Sequence, residues 1–191
     1  MNTEMKLDRR VARTREAISK AFLELFSEKK FSQITIHDIS ERANVNRGTV
    51  YLHYTDKYDL LDQCIEEHLK QLLTFCSHNK SREGITTLAS ELKPVFEFLE
   101  TNFLFFSAML QNQRTEVFRE RLLEFVSANI KEELDSQKAD TLINHELNAQ
   151  FMASAFVGIV EYWIRNNMPH PPQYMAEQVW RLFERNEISP G

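Results

Sequence analysis

Turn residues are scarce in this chain. Four glycines and five prolines occur among 191 residues, against an average share of roughly 12% for the two together. A chain so poor in them favours a few long helices over many strands. No segment shows the strict apolar–polar alternation, bounded by turn residues, that marks a strand. The expected fold is all-α, with about nine helices. The length fits one or two domains and suffices to bury a sizeable core.

Residues 35–57, TIHDISERANVNRGTVYLHYTDK, organise the rest. Thr35 is an N-cap, because its hydroxyl can accept an N–H of a first helical turn. Ile36, Ile39 and Ala43 follow at helical spacing and give one apolar face. Asn44 sits where the chain must turn, and Asn tolerates the left-handed backbone. Val45 is a turn residue that can point inward. Asn46 is a second N-cap, opening a short helix through Gly48, Thr49, Val50, Tyr51 and Tyr54. Asp56 caps a third helix from Lys57. Two short helices joined by a tight turn form a helix-turn-helix, whose second helix can enter the major groove of DNA. Its exposed side carries Arg47, Thr49, Tyr51 and His53, which suit phosphates and base edges. Thr35 and Lys57 are expected to hold phosphates, Lys57 at a helix N-terminus where N–H groups and an ammonium meet.

The run Asn46-Arg47-Gly48-Thr49-Val50-Tyr51-Leu52-His53-Tyr54-Thr55-Asp56-Lys57 resembles the signature of the TetR family of bacterial transcriptional regulators. That signature has a Gly-Thr-aliphatic-Tyr core, then an aromatic, and a Lys three residues beyond it. The resemblance extends over roughly residues 12–72. Asn44 departs from it, since the family usually has Gly there, but Asn can take the same backbone angles. The resemblance implies a DNA-binding domain over 12–72, with its motif at about 35–54. It also implies DNA contacts from Thr35, Asn46, Arg47, Gly48, Thr49, Tyr51, His53 and Lys57. The helix from Lys57 would join this domain to a second one over 73–191, for effector binding and dimerisation. In that second part the resemblance is one of architecture only.

Charge is distributed to match. The formal net charge is −5, yet eleven Lys and Arg face eight Asp and Glu up to Lys57, and twelve face twenty after it. This suggests a basic reading head on an acidic body. Arg9, Arg10, Arg13 and Arg15 crowd the start of the first helix, after a loose arm over residues 1–8. Two readings stand for them: a solvated charged face, or an arm touching phosphate or the minor groove. The apolar stripe of that helix is Val11, Ile18, Ala21, Phe22, Leu25 and Phe26, expected to pack on Ile36, Ile39, Val50 and Tyr54.

The helix from Lys57 carries Leu60, Leu61, Cys64, Ile65, Leu69, Leu72 and Leu73. Further helices are expected over about 85–101, with Pro94 kinking or interrupting it, then 103–110, 115–134, 140–167 and a last one after the break at 168–172. Phe103, Phe106, Met109, Phe118, Phe125 and Phe156 either fill an ordinary core or line a pocket for an apolar or aromatic small molecule. The helix over 140–167 is apolar on more sides than one core needs, and Ser154, Gly158 and Glu161 form a stripe that permits close approach. A homodimer interface is expected at Phe151, Ser154, Ala155, Gly158, Tyr162, Met175, Val179, Leu182 and Phe183.

Chemistry for catalysis is not apparent. The sequence has no Gly-rich phosphate loop, no Gly-x-Ser-x-Gly and no Cys pair at zinc spacing, so no catalytic residue, metal or cofactor is expected. The six histidines are scattered. Cys64 and Cys76 lie about 18 Å apart along one helix, too far for a disulfide, and read as reduced thiols or, less simply, a redox pair. The polar, basic N-terminus predicts no signal peptide, and the longest apolar run, 151–160, is too short to span a membrane. The expected protein is a cytoplasmic, dimeric regulator bound to double-stranded operator DNA, a repressor released by a small molecule. The alternatives are a dimeric DNA-binding protein whose second domain binds only a protein partner, and a small all-α enzyme.

Overall fold

The structure is a computed structural model and describes residues 2–77, 88–111, 115–136 and 143–185. Among these there are nine α-helices and no strand. In chain order they are α1 (Asn2–Glu28), α2 (Ile36–Arg42), α3 (Arg47–Tyr51), α4 (Lys57–Ser77), α5 (Leu88–Thr101), α6 (Phe103–Gln111), α7 (Thr115–Ser136), α8 (His145–Arg165) and α9 (Pro172–Arg185). A single 3-10 turn, Phe31–Gln33, sits between α1 and α2. The chain divides into two compact units, Met1–His68 and Leu69–Gly191, so the division falls inside α4.

In the first unit, α1 buries Ile18, Ala21, Phe22, Leu25 and Phe26. Ile39 from α2, Val50 from α3, Tyr54, and Leu60, Leu61, Cys64 and Ile65 from α4 complete the core. Phe22, Phe26 and Phe31 meet ring to ring at 5.6–6.2 Å. Arg42 clamps α2 to α1, with two 2.8 Å bonds to Glu28 and a longer one to Glu24. Two expectations are corrected. Residues 2–8, expected as a loose arm, are the first two turns of α1. Nothing between Asn2 and Asp8 is a Gly or Pro, and helix propensity carries the helix to Asn2. Val11, expected in the core stripe, is 38% exposed, because the buried stripe begins two turns later, at Ile18.

In the second unit α7 packs on α8, α5 on α9, and α6 against α5, α7 and α8. Their shared core holds Phe96, Phe105, Phe106, Phe118, Phe156, Val160, Trp163, Ile164 and Val179. Pro94 does not interrupt α5, which runs unbroken through it. The ring leaves one carbonyl, that of Ser90, without its helical donor. α8 ends in two left-handed residues, Asn167 and Met168, at φ 55° and 51°. Their N–H groups return to Ile164 and Trp163. Trp163 Nε1 donates to the His170 carbonyl at 2.9 Å, and Pro172 opens α9.

Candidate nucleic-acid interface

The interface is built by local hydrogen bonds that the sequence specifies. Thr35 Oγ1 accepts from the Asp38 N–H at 3.2 Å, while the Asp38 carboxylate accepts from the Thr35 N–H at 2.8 Å and from the Thr35 hydroxyl at 2.9 Å. This reciprocal box starts α2. Lys29 adds an ion pair to Asp38 at 2.9 Å. Lys29, with the two Thr35 donors, holds the Asp38 carboxyl down at about 2. α2 ends at Ala43, and Asn44 takes φ 53°, the left-handed turn expected of it. The Val45 N–H then returns to the Ser40 carbonyl at 2.9 Å. Asn46 Oδ1 accepts from the Gly48 N–H at 2.9 Å and starts α3. Asp56 Oδ1 accepts from the N–H groups of Tyr58 and Asp59 at 2.8 and 2.9 Å, capping α4.

Val50 fixes how α3 is turned. It is fully buried, so the residues two positions either side of it, Gly48 and Leu52, point away from the core. Arg47, Asn46, Gly48, Tyr51 and Leu52 are exposed, with Thr49 and His53 half-buried beside them. Leu52 is 81% exposed, the highest value among the exposed large apolar residues. It is absent from the contacts expected on sequence grounds. The signal for it is its i+4 spacing from Gly48 on the side opposite Val50.

Gly48 is informative because nothing around it in the chain requires a glycine. Its φ is not positive, and a Cβ there would meet only Asn46 Oδ1, at an ordinary 3.6 Å. Glycine inside a helix is destabilising by roughly 0.5–1 kcal/mol relative to Ala. A bare backbone on an exposed helix face, maintained at that cost, suits a surface that another molecule approaches closely.

Lys57 is engaged within the chain. Expected to hold a phosphate, its Nζ instead donates to the carbonyls of Phe31, Ser32 and Ile34 at 2.9, 3.2 and 2.8 Å. An ammonium has three donors, so all are engaged within the chain. It also lies 4.9 Å from the Phe31 ring centre and 5.8 Å from that of Tyr58. Lys57 ties the start of α4 to the loop that leads into the Thr35 cap. The Thr35 hydroxyl is likewise engaged by Asp38.

Residues 18–64 match the family of bacterial regulatory proteins of the tetR family, and residues 86–185 match a family described as a transcriptional regulator C-terminal region. The chain belongs to the TetR family of transcriptional regulators. TetR proteins are regulators rather than enzymes, which disposes of the enzyme alternative. A relative in Bacillus subtilis (strain 168), an uncharacterized HTH-type transcriptional regulator called YxbF, is 29% identical over 197 residues. That match covers 95% of this chain and 47% of the relative, so the chain spans about half the relative's length. The "probable acrEF/envCD operon repressor" of Escherichia coli (strain K12) is 25% identical over 199 residues, covering 92% of this chain and 89% of that one. The crystal structure of a TetR transcriptional regulator from Streptococcus agalactiae 2603V superposes with a TM-score of 0.65 at 22% identity, over 94% of this chain and 98% of that one.

In this TetR chain the six residues named for a pocket lie on α6, α7 and α8. Phe106 and Phe118 are buried with their ring centres 6.2 Å apart, and Phe105, absent from the expected set, packs edge-on against both at 5.0 and 5.6 Å. Phe156 instead meets Phe96 at 5.9 Å, and Trp163 packs on Phe96 at 5.3 Å. Met109 is buried, and Phe103 and Phe125 are half-buried. The dimer residues divide in two. Phe151, Ser154, Gly158, Tyr162 and Leu182 are exposed and Ala155 half-buried. Met175, Val179 and Phe183 are already buried within the single chain, in which α9 packs on α5. Ile143, Leu147 and Tyr174 are exposed apolar residues outside the expected set.

Burial pushes the Cys64 thiol up to about 11, which leaves it protonated and a poor nucleophile. The side chain of Cys76 lies outside the described residues. Among those residues no helix is long and apolar enough to cross a membrane, and no group of three or more His, Cys, Asp or Glu is placed to hold a metal.

Proposed function

We propose that this protein is a homodimeric repressor that reads a near-palindromic operator through α2, the Asn44 turn and α3, and that an apolar or aromatic ligand in the α5–α8 region releases it. The observation that carries the reading is the α3 surface. Arg47, Gly48, Tyr51 and Leu52 stand free of the core on a helix whose entry is fixed by Asn46. Such a helix, presented by a helix-turn-helix, fits the major groove. The relative described as an operon repressor supports the sign of regulation.

The ligand step is supported by the Phe105–Phe106–Phe118 cluster, with Phe103 half-buried elsewhere on α6 and Phe125 half-buried elsewhere on α7. An apolar guest would enter by parting these rings. Because α4 begins in one unit and ends in the other, a shift in the second unit would be carried along it.

The experiment is selection of binding sites from a random duplex pool by the full chain, followed by titration of the winner. A site with two-fold sequence symmetry is expected. An asymmetric site would rule out the dimeric reading, and no enrichment would rule out the DNA reading. For release, apolar compounds are screened by Trp163 and Trp180 fluorescence. A ligand should raise the melting temperature and lower operator affinity together. A ligand that does the first without the second would leave a regulator without effector release.

A further inference from the structure

We infer that the N-terminal half of α1 is a second DNA contact, a seat for the sugar–phosphate backbone beside the reading helix; this rests on the proposed DNA reading. Arg9, Arg10, Arg13, Thr14, Ala17 and Val45 line an open groove of about 410 Å³. Residues 10, 13, 14 and 17 are spaced i, i+3, i+4 and i+7, so they share one face of α1, and Arg9 flanks it one turn before Arg13. Val45 closes the groove from the turn between α2 and α3. Its N–H is fixed to Ser40, and the next residue, Asn46, caps α3. The groove therefore ends one residue from the start of the reading helix.

The state of these arginines separates them from Arg15 and Arg42 and matches that of Arg47 on α3. Arg42 is clamped by Glu28 and Glu24. Arg15 donates to Gln63 at 3.0 Å and lies over the Tyr54 ring. Arg9, Arg10 and Arg13 are exposed, and none of their side chains makes an ion pair or hydrogen bond among the described residues. Three unneutralised guanidiniums within about one helical turn repel one another, and none of the residues lining the groove offsets this. No acid is among them. The floor is the methyl of Ala17 and the side chain of Val45, and the rim is cationic.

That combination matches a nucleic-acid strand better than a small free anion, which needs polar donors on every side. A deoxyribose presents apolar faces to the floor, and its phosphates meet the guanidinium rim, where Arg binds in bidentate fashion. Such an interaction carries no sequence information. It sets register and adds to affinity through counterion release.

The test replaces Arg9, Arg10 and Arg13 by Ala together in the full chain, with an all-Lys triple variant beside it. Binding is measured for a selected operator and a scrambled duplex between about 50 and 200 mM salt. The Ala variant removes three guanidiniums from each chain of the proposed dimer and should flatten the salt dependence by about five units on both duplexes, at about 0.9 for each phosphate no longer neutralised. The ratio of the two affinities and the melting temperature should not change, and the Lys variant should keep most of the slope. An unchanged slope overturns the inference and leaves the α3 reading intact. A slope that falls together with the affinity ratio places the arginines on base edges and overturns the backbone assignment. If the wild-type chain binds neither duplex, the DNA reading itself fails.

Discussion

Lys57 and Gly48 act at the residue scale in opposite ways. Lys57 satisfies three backbone carbonyls of residues 31–34. Lys57→Ala leaves them without their donor, and losing a partner at a part-buried group costs roughly 1–3 kcal/mol. The melting temperature should fall, while the salt slope of DNA binding at temperatures where the fold persists should not change. A slope shallower by about one unit for each chain of the proposed dimer would instead return Lys57 to the phosphates. Gly48→Ala should do the reverse. It fits the chain without a clash and should raise stability by roughly 0.5–1 kcal/mol. Operator affinity should drop, because the added methyl stands on the face opposite Val50. Unchanged affinity in a titration would show that nothing approaches that backbone. Thr35, Asn44 and Asn46 are legible in the sequence because a cap or a left-handed turn is settled by neighbours within four residues. The partners of Lys57 lie 23 to 26 residues away, across a loop whose path no local pattern encodes.

At the scale of elements, periodicity places the helices and leaves their orientation open. The two faces of α9 show this. Met175, Val179, Leu182 and Phe183 are all apolar, and spacing alone groups them. Only the packing of α5 on α9 decides that Leu182 stays outside while the other three go in. The same holds for α6, where Phe105 and Phe106 are both buried and the choice between lining and filling lies in the third dimension. The entry to α2 has a pH signature. Lys29 and Thr35 hold the Asp38 carboxyl at about 2, below its ordinary 3.8. A depressed carboxyl contributes stability that is complete above its unfolded value and lost as pH falls from about 3.8 towards 2. Acid unfolding followed by circular dichroism should therefore show a decline over that window, reduced in Asp38→Asn. Coincident curves for the two proteins would mean that the Lys29–Asp38 pair contributes nothing measurable, as many exposed pairs do.

For the whole molecule, the deciding surface is α8. Leu147, Phe151, Gly158 and Tyr162 recur at three- and four-residue steps through Ala155, so they share one stripe of α8. Phe151 is 58% and Tyr162 64% exposed in the single chain. A stripe of that composition left to water is a standing invitation to association. Gly158 lies within it, and an added Cβ there has nothing within 4 Å. As with Gly48, the chain itself has no use for the missing side chain, whereas a partner helix crossing closely does. A two-fold axis along this stripe would pair α8 with its copy and bring Tyr174 and Leu182 of α9 alongside, giving four helices with two from each chain. It would also double the reading head, since a five-residue α3 contacts too few base pairs to select a site alone. Two substitutions separate chain from interface. Gly158→Ala should stabilise the isolated chain by about 1 kcal/mol through helix propensity. Gly158→Trp has open space in the single chain, so the helical content should persist, while the indole would force two close-packed helices apart. Sedimentation velocity should then show a monomer, and operator affinity should collapse towards that for scrambled DNA. A Gly158→Trp protein that still sediments as a dimer would place the two-fold axis on another face.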